Sequence, residues 1–197
     1  MDDYWNHNAA YHPWLIDLAT RHRGHVLDVG CGEGLLVQRL AAVSRSVVGV
    51  DSDPSSVWRA SARLESTGNA SVELTPFETV EAGQRSFDLI TFVASIHHLP
   101  LRESLRKARQ MLRPGGELAV VGLSANKTIA DWAWSGLCLP AVRVGSWLHR
   151  ETRDIGVPVA EPRESLREIR RVAAEVLPGA AIRRGLYYRY RLLWRNG

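Results

Sequence analysis

The stretch V-L-D-V-G-C-G-E-G, residues 26–34, decides how the rest of the chain is read. An apolar run over residues 25–29 stops at a turn with glycines at 30, 32 and 34. A helical pattern, L-L-V-Q-R-L-A-A, follows at residues 35–42. Glycines in such a turn let the backbone bend sharply and let a ligand approach without meeting a Cβ. The next strand-like run, S-V-V-G-V-D, ends in Asp51, from which a carboxylate can accept both hydroxyls of a ribose. A glycine turn with that acidic partner is a nucleoside-binding arrangement at the carboxyl edge of a sheet. The dinucleotide fingerprint G-x-G-x-x-G would need its last glycine at position 35, which is Leu35. The spacing here is G-x-G-x-G instead.

Outward from this turn, strand-like runs alternate with helical patterns. The runs at 71–75, 87–94 and 116–123 complete a set of five, and they are apolar nearly throughout, as strands covered on both faces must be. Between the fourth and fifth, Leu101, Leu105, Ala108 and Leu112 make one helical stripe, which P-G-G at 114–116 is expected to end. A second clear helix is expected over residues 163–177, with Leu166, Ile169, Val172, Val176 and Leu177 on one face. The end of the chain, A-I-R-R-G-L-Y-Y-R-Y-R-L-L-W-R, reads as two short strands joined tightly. The alternation implies β-α-β units, an α/β fold and a largely parallel sheet. With 197 residues, no repeat and no long linker, one domain is expected over residues 1–197.

Composition narrows the partners. Hydrophobic residues make up 45%, enough for a sizeable core. Cys31 and Cys138 are too few for a disulfide framework. The start, M-D-D-Y-W-N-H-N, is acidic and polar rather than a secretory signal, so a cytoplasmic location is expected. The most apolar long window, residues 128–148, contains Asp131, Pro140 and Arg143 and does not read as a membrane span. It could still lie on a membrane surface or over an apolar ligand. Net charge is +4 with a pI near 9.4. The excess is local: after Glu175 come Arg183, Arg184, Arg189, Arg191 and Arg195 with no acid. Such a tail can meet nucleic acid or acidic lipid; solvated arginines alternating along edge strands are the favoured reading.

The V-L-D-V-G-C-G-E-G segment resembles the first motif of the class I S-adenosylmethionine-dependent methyltransferases. V-V-G-V-D-S-D-P looks like that family's second motif, F-D-L-I-T-F-V-A-S-I-H-H-L is similar to the fourth-strand motif of its small-molecule members, and M-L-R-P-G-G-E-L-A-V-V matches the following turn and fifth strand. Four such segments in order carry far more weight than one glycine motif. The resemblance implies a Rossmann-like, doubly wound, mostly parallel seven-stranded sheet with helices on both faces and its last strand antiparallel. It implies S-adenosylmethionine as cofactor and S-adenosylhomocysteine as product.

Carried over by position, Gly30, Cys31 and Gly32 line the methionine–ribose end of the cofactor. Asp28 orients its ammonium through water, Asp51 and the adjacent Ser52 lie at the ribose, and Val93 sits where the fourth strand ends beside it. After the third strand the family usually has Gly-Asp; this chain has Phe77-Glu78. Glu78 can accept the adenine amino group with Phe77 against the ring, or be an ordinary surface glutamate. Cys31 then needs no redox role.

Methyl transfer is an in-line displacement on an already activated carbon, so the protein mainly aligns the nucleophile, with a base where a hydroxyl must lose its proton. Of the adjacent histidines in S-I-H-H-L, His97 is the base candidate or else a packing residue of the pocket. His98 is assigned a structural hydrogen bond at the helix start. A metal between the two is disfavoured, because adjacent side chains at a helix start diverge. The D/N/S-P-P-Y/F motif of enzymes that methylate base amino groups is missing, which argues against nucleic acid as substrate.

Residues 1–24, with Tyr4, Trp5, Tyr11, His12 and Trp14, are expected to form an N-terminal helical lid or a small core satellite. The resemblance implies that residues 124–160 are an insertion over the substrate pocket, and their Trp132, Trp134 and Trp147 hint at an apolar or aromatic small-molecule acceptor. The expected activity is methylation of such an acceptor, with O-methylation favoured. The alternatives are a protein of the same fold that binds the cofactor without transfer, and a membrane-surface enzyme for a lipid or quinone.

Overall fold

The computed structural model describes residues 4–81, 86–127, 161–186 and 189–197. Seven strands form one sheet in the order β3-β2-β1-β4-β5-β7-β6. They are β1 (His25–Val29), β2 (Ser46–Asp51), β3 (Ala70–Leu74), β4 (Phe87–Val93), β5 (Leu112–Leu123), β6 (Ala181–Arg184) and β7 (Arg189–Arg195). The strands from β3 to β5 pair in parallel and the last strand, β7, is antiparallel, as expected; it inserts between β5 and β6. Strand order reverses between β1 and β4, the switch point where such sheets open a crevice at their carboxyl ends.

Each central strand divides its side chains between two apolar layers. Leu27, Val29, Ile90, Phe92, Leu118 and Val120 face one side, under α4 (Leu101–Met111) and α5 (Leu166–Val176). Val26, Leu89, Ala119 and Val121 face the other, under α1 (His12–His22) and α2 (Leu35–Ala41). This period of two, with both faces covered, is why the strands read as continuous apolar runs. Helix α5 starts on a capping box, in which the Ser165 hydroxyl accepts from the Glu168 amide and the Glu168 carboxylate accepts from the Ser165 amide.

Three expectations need correction. Helix α4 ends at Met111, ahead of P-G-G, because Leu112 is already extended and pairs with Phe87. Pro114–Gly116 instead lie inside β5 at a shift of register against β4, with Gly115 at φ 80°. A further helix, α3 (Pro54–Leu64), was not read from the sequence; the Asp53 side chain caps it by accepting from the Ser56 amide. The arginines of β7 are not on an edge strand. Arg191 stacks over Trp14 at 5.3 Å and Arg189 donates to Asn8, while β6 forms the edge. The 128–148 window, its tryptophans and Cys138 lie outside the described residues. Among the described residues no helix is long and apolar enough to cross a membrane.

Candidate active site

A cavity of about 660 Å³ opens over the carboxyl ends of the strands. Asp28, Gly30, Cys31, Gly32, Asp51, Ser52, Phe77, Glu78, Val93 and His97, the residues expected at the cofactor and as base, line it. Its size is that of an ordinary small-molecule pocket.

The glycine turn is tied residue by residue. The amides of Gly30 and Cys31 both donate to the Val50 carbonyl (2.8 and 3.1 Å), and the Gly32 amide donates to Asp51 Oδ2 (2.8 Å). Gly30 sits at φ 71°, and a Cβ there would meet the Ser95 Cβ at 2.4 Å, so the glycine is required by both conformation and space. Asp51 accepts the Gly32 amide on one oxygen and the Asp53 amide (2.9 Å) on the other. A carboxylate has about four lone-pair sites, so an Asp51 oriented in this way can still accept two hydroxyls.

Asp28 is 2% exposed, and the Thr91 hydroxyl donates to its Oδ1 at 2.7 Å. Burial pushes its carboxyl up to about 7; the Thr91 bond opposes this and the nearby Asp51 charge adds to it. A buried carboxylate facing a cavity is stabilised by a cation placed there. Cys31 is buried against the space beside Gly49, where an added Cβ would lie 2.8 Å from its Sγ. Burial, then Asp28 and Asp51, raise the Cys31 thiol above its usual range, which fits a packing role and an unreactive thiol. Phe77 is in the core, edge-on to Phe92 at 5.3 Å, while Glu78 is exposed at the rim. The cavity therefore offers what a nucleoside carrying an amino acid with a free ammonium requires: a glycine cradle, an oriented carboxylate and a buried carboxylate stabilised by a cation.

On the far side of the switch point the lining changes character. Acids come from the β1, β2 and β3 ends, whereas β4, β5 and β7 contribute Ser95, His97, His98, Leu123 and Arg189. His97 is half-buried and His98 exposed, with ring centroids 4.2 Å apart and planes tilted 42°. The helix-start bond at His98 is made by its backbone, whose amide donates to the Ser95 carbonyl; its ring lies at the cavity rim instead. The N-terminal arm divides between the cavity and the core. Tyr4, Asn6, His7 and Asn8 line the cavity, and Tyr11, Leu15 and Leu18 are core. Asn8 accepts two N–H groups of Arg189, at 3.0 and 2.8 Å, joining the arm to β7.

Sequence reasoning did not find Thr91, Ser95 or Arg189. Thr91 carried a signal, being the one hydroxyl in an apolar strand. Among the described residues no group of three or more His, Cys, Asp or Glu is placed to hold a metal ion.

Comparison with known proteins agrees with this geometry. A family model described as a methyltransferase domain matches residues 26–116. An uncharacterised methyltransferase of Mycobacterium tuberculosis is 34% identical over 99% of this chain and 98% of its own length. A ubiquinone biosynthesis O-methyltransferase of a Methylobacterium is 30% identical, with the match covering 72% of this chain and 61% of that one. The solved structure of the N-methyltransferase NodS from Bradyrhizobium japonicum, in complex with S-adenosyl-L-homocysteine, shares the fold, with a TM-score of 0.63 at 20% identity over 95% of this chain and 86% of that one. A seven-stranded sheet opening at its switch point beside a G-x-G-x-G turn defines the class. The chain belongs to the class I S-adenosylmethionine-dependent methyltransferases. Its cofactor is S-adenosylmethionine.

Proposed function

We propose that this enzyme methylates a small-molecule acceptor at oxygen, with the cofactor over β1–β3 and the acceptor over β4–β7. The observation that carries the reading is the continuity of the cavity across the switch point, acidic on one side and lined by histidines and Arg189 on the other. When bound, S-adenosylmethionine supplies a methyl group activated on a sulfonium. Asp51 accepts the ribose hydroxyls, with Ser52 beside it, and Asp28 holds the ammonium. Gly30, Cys31 and Gly32 let the methionine end lie against the backbone, Val93 borders it, and Phe77 and Glu78 lie at the adenine.

His97, on the acceptor side, takes the proton from an acceptor hydroxyl; a positioned base of this kind contributes about 10²–10⁴-fold. The similarity to ubiquinone biosynthesis O-methyltransferases supports oxygen as the target, and Leu99 and Leu123 in the lining support an acceptor with apolar surface.

The test is S-adenosylhomocysteine release over a panel of matched phenol and amine acceptors, with wild type and His97→Gln. Turnover of phenols that falls at least about tenfold in the variant, with unchanged S-adenosylhomocysteine affinity, supports the reading. A wild-type rate in the variant removes His97 as the base, and turnover of amines alone removes O-methylation.

A further inference from the structure

Arg63, near the end of α3, is buried, with its side chain 3% exposed, yet no part of it lines the cavity. Its Nε donates to the backbone carbonyl of Glu33 at 3.1 Å, its Nη2 to Glu33 Oε1 at 3.1 Å, and its Nη1 to Gln38 Oε1 at 3.4 Å. Glu33 belongs to the glycine turn. Residues 30–32 of that turn are held by the end of β2, through Val50 and Asp51, whereas Glu33 is held by α3. Helix α3 also abuts the turn at Gly34, where a Cβ would come within 3.0 Å of Ala60 Cβ. Glu33, itself on the cavity wall, is hydrogen-bonded through its side chain to the hydroxyl of Tyr4, which lines the same cavity from the N-terminal arm.

A buried ion pair is weak as a source of stability, because desolvation of both charges offsets most of their attraction. Its distinctive property is direction. The planar guanidinium fixes a carbonyl and a carboxylate in one plane, as a lysine ammonium cannot. We propose that Arg63 is a positioning residue for cofactor retention: it presents Glu33 so that the turn keeps its shape and Tyr4 closes over the bound cofactor. The proposal rests on the cofactor site described above. Arg63 touches neither cofactor nor acceptor and acts through Glu33 on Tyr4.

The experiment measures S-adenosylhomocysteine affinity by calorimetry, its dissociation rate by stopped-flow fluorescence, and Tm, in wild type, Arg63→Met, Arg63→Lys, Tyr4→Phe and the double variant Arg63→Met/Glu33→Gln. Arg63→Met leaves the mostly buried Glu33 carboxylate without its cationic partner and is expected to lower Tm. The double variant removes both charges and is expected to restore Tm, while its S-adenosylhomocysteine still dissociates about tenfold faster or more. Tyr4→Phe is expected to speed dissociation at unchanged Tm and to add nothing in the double variant. Arg63→Lys is expected to fall between wild type and Arg63→Met in affinity. Wild-type affinity in the double variant would overturn the proposal, since Arg63 would then only neutralise Glu33. A wild-type dissociation rate in Tyr4→Phe would overturn the closure. If wild type itself binds no S-adenosylhomocysteine, the cofactor site fails first, a result distinct from either.

Discussion

Replacing Asp28 by Asn should stabilise the free protein and weaken its hold on the cofactor. The carboxyl is moved from an ordinary value of 3.8 to about 7, chiefly by burial. Below 3.8 the folded and unfolded chains are both protonated there. Between 3.8 and 7 the unfolded chain gives up the proton that the folded chain keeps, so stability falls as pH rises, and above 7 the loss is complete. About three units at roughly 1.4 kcal/mol each make the cost on the order of 4 kcal/mol at pH 8. Asn carries no titrating proton and can keep the Thr91 hydrogen bond through its Oδ1. With water in the cavity screening part of the charge, the gain at pH 8 is ~2–4 kcal/mol, or roughly 5–15 °C in Tm for a chain of this size. At pH 4 the gain should vanish. S-adenosylhomocysteine affinity at pH 8 should fall about 10–100-fold, from loss of a charge-assisted contact to the ammonium. Thermal unfolding of both proteins from pH 4 to 8, with calorimetric titration at pH 8, checks both halves. A variant no more stable at pH 8 than wild type, or one with undiminished affinity, would refute the reasoning.

The same linkage predicts that S-adenosylhomocysteine binding tightens as pH rises through about 7 and releases a proton below it, seen as binding enthalpies that vary with buffer at pH 6 but not at pH 8.5. Asp51→Ala should cost about 1–3 kcal/mol of cofactor affinity and free the Gly32 and Asp53 amides; calorimetry with an unaltered Kd would remove the ribose assignment. Gly30→Ala should abolish cofactor binding and lower Tm, because its Cβ would collide with Ser95 at φ 71°; a variant that binds normally would show the turn to be adaptable. Ser165→Ala, which breaks the capping box of α5 away from the cavity, should cost about 1 kcal/mol in denaturant unfolding and leave cofactor affinity unchanged.

The parts of the site legible in the sequence were those whose chemistry is local. The glycine turn announces itself because backbone at positive φ needs glycine, and Asp51 because it ends the neighbouring strand. Other features depend on distant partners. Arg63 looks like any helical arginine until Glu33, thirty residues earlier, is brought to it. Arg189 looked like tail charge until β7 was found between β5 and β6, with its first residue at the cavity. P-G-G reads as a helix stop, yet the strand pairing of Leu112 with Phe87 and the bond from the Asn196 amide to the Gly116 carbonyl draw it into β5. Helix α3 did carry a signal, Asp53 followed by Pro54. With Trp58 exposed and Arg63 buried, though, its apolar stripe is broken, and periodicity alone does not reveal it.

In the proposed function one cavity receives cofactor and acceptor on opposite sides of the β1–β4 switch point. A crystal structure with S-adenosylhomocysteine tests it most directly. The expected result is the ribose hydroxyls on the Asp51 carboxylate, the ammonium at Asp28 and the sulfur directed toward the side lined by Ser95 and His97. A ligand with its ribose away from Asp51, or with its sulfur facing the β2–β3 side, would contradict it.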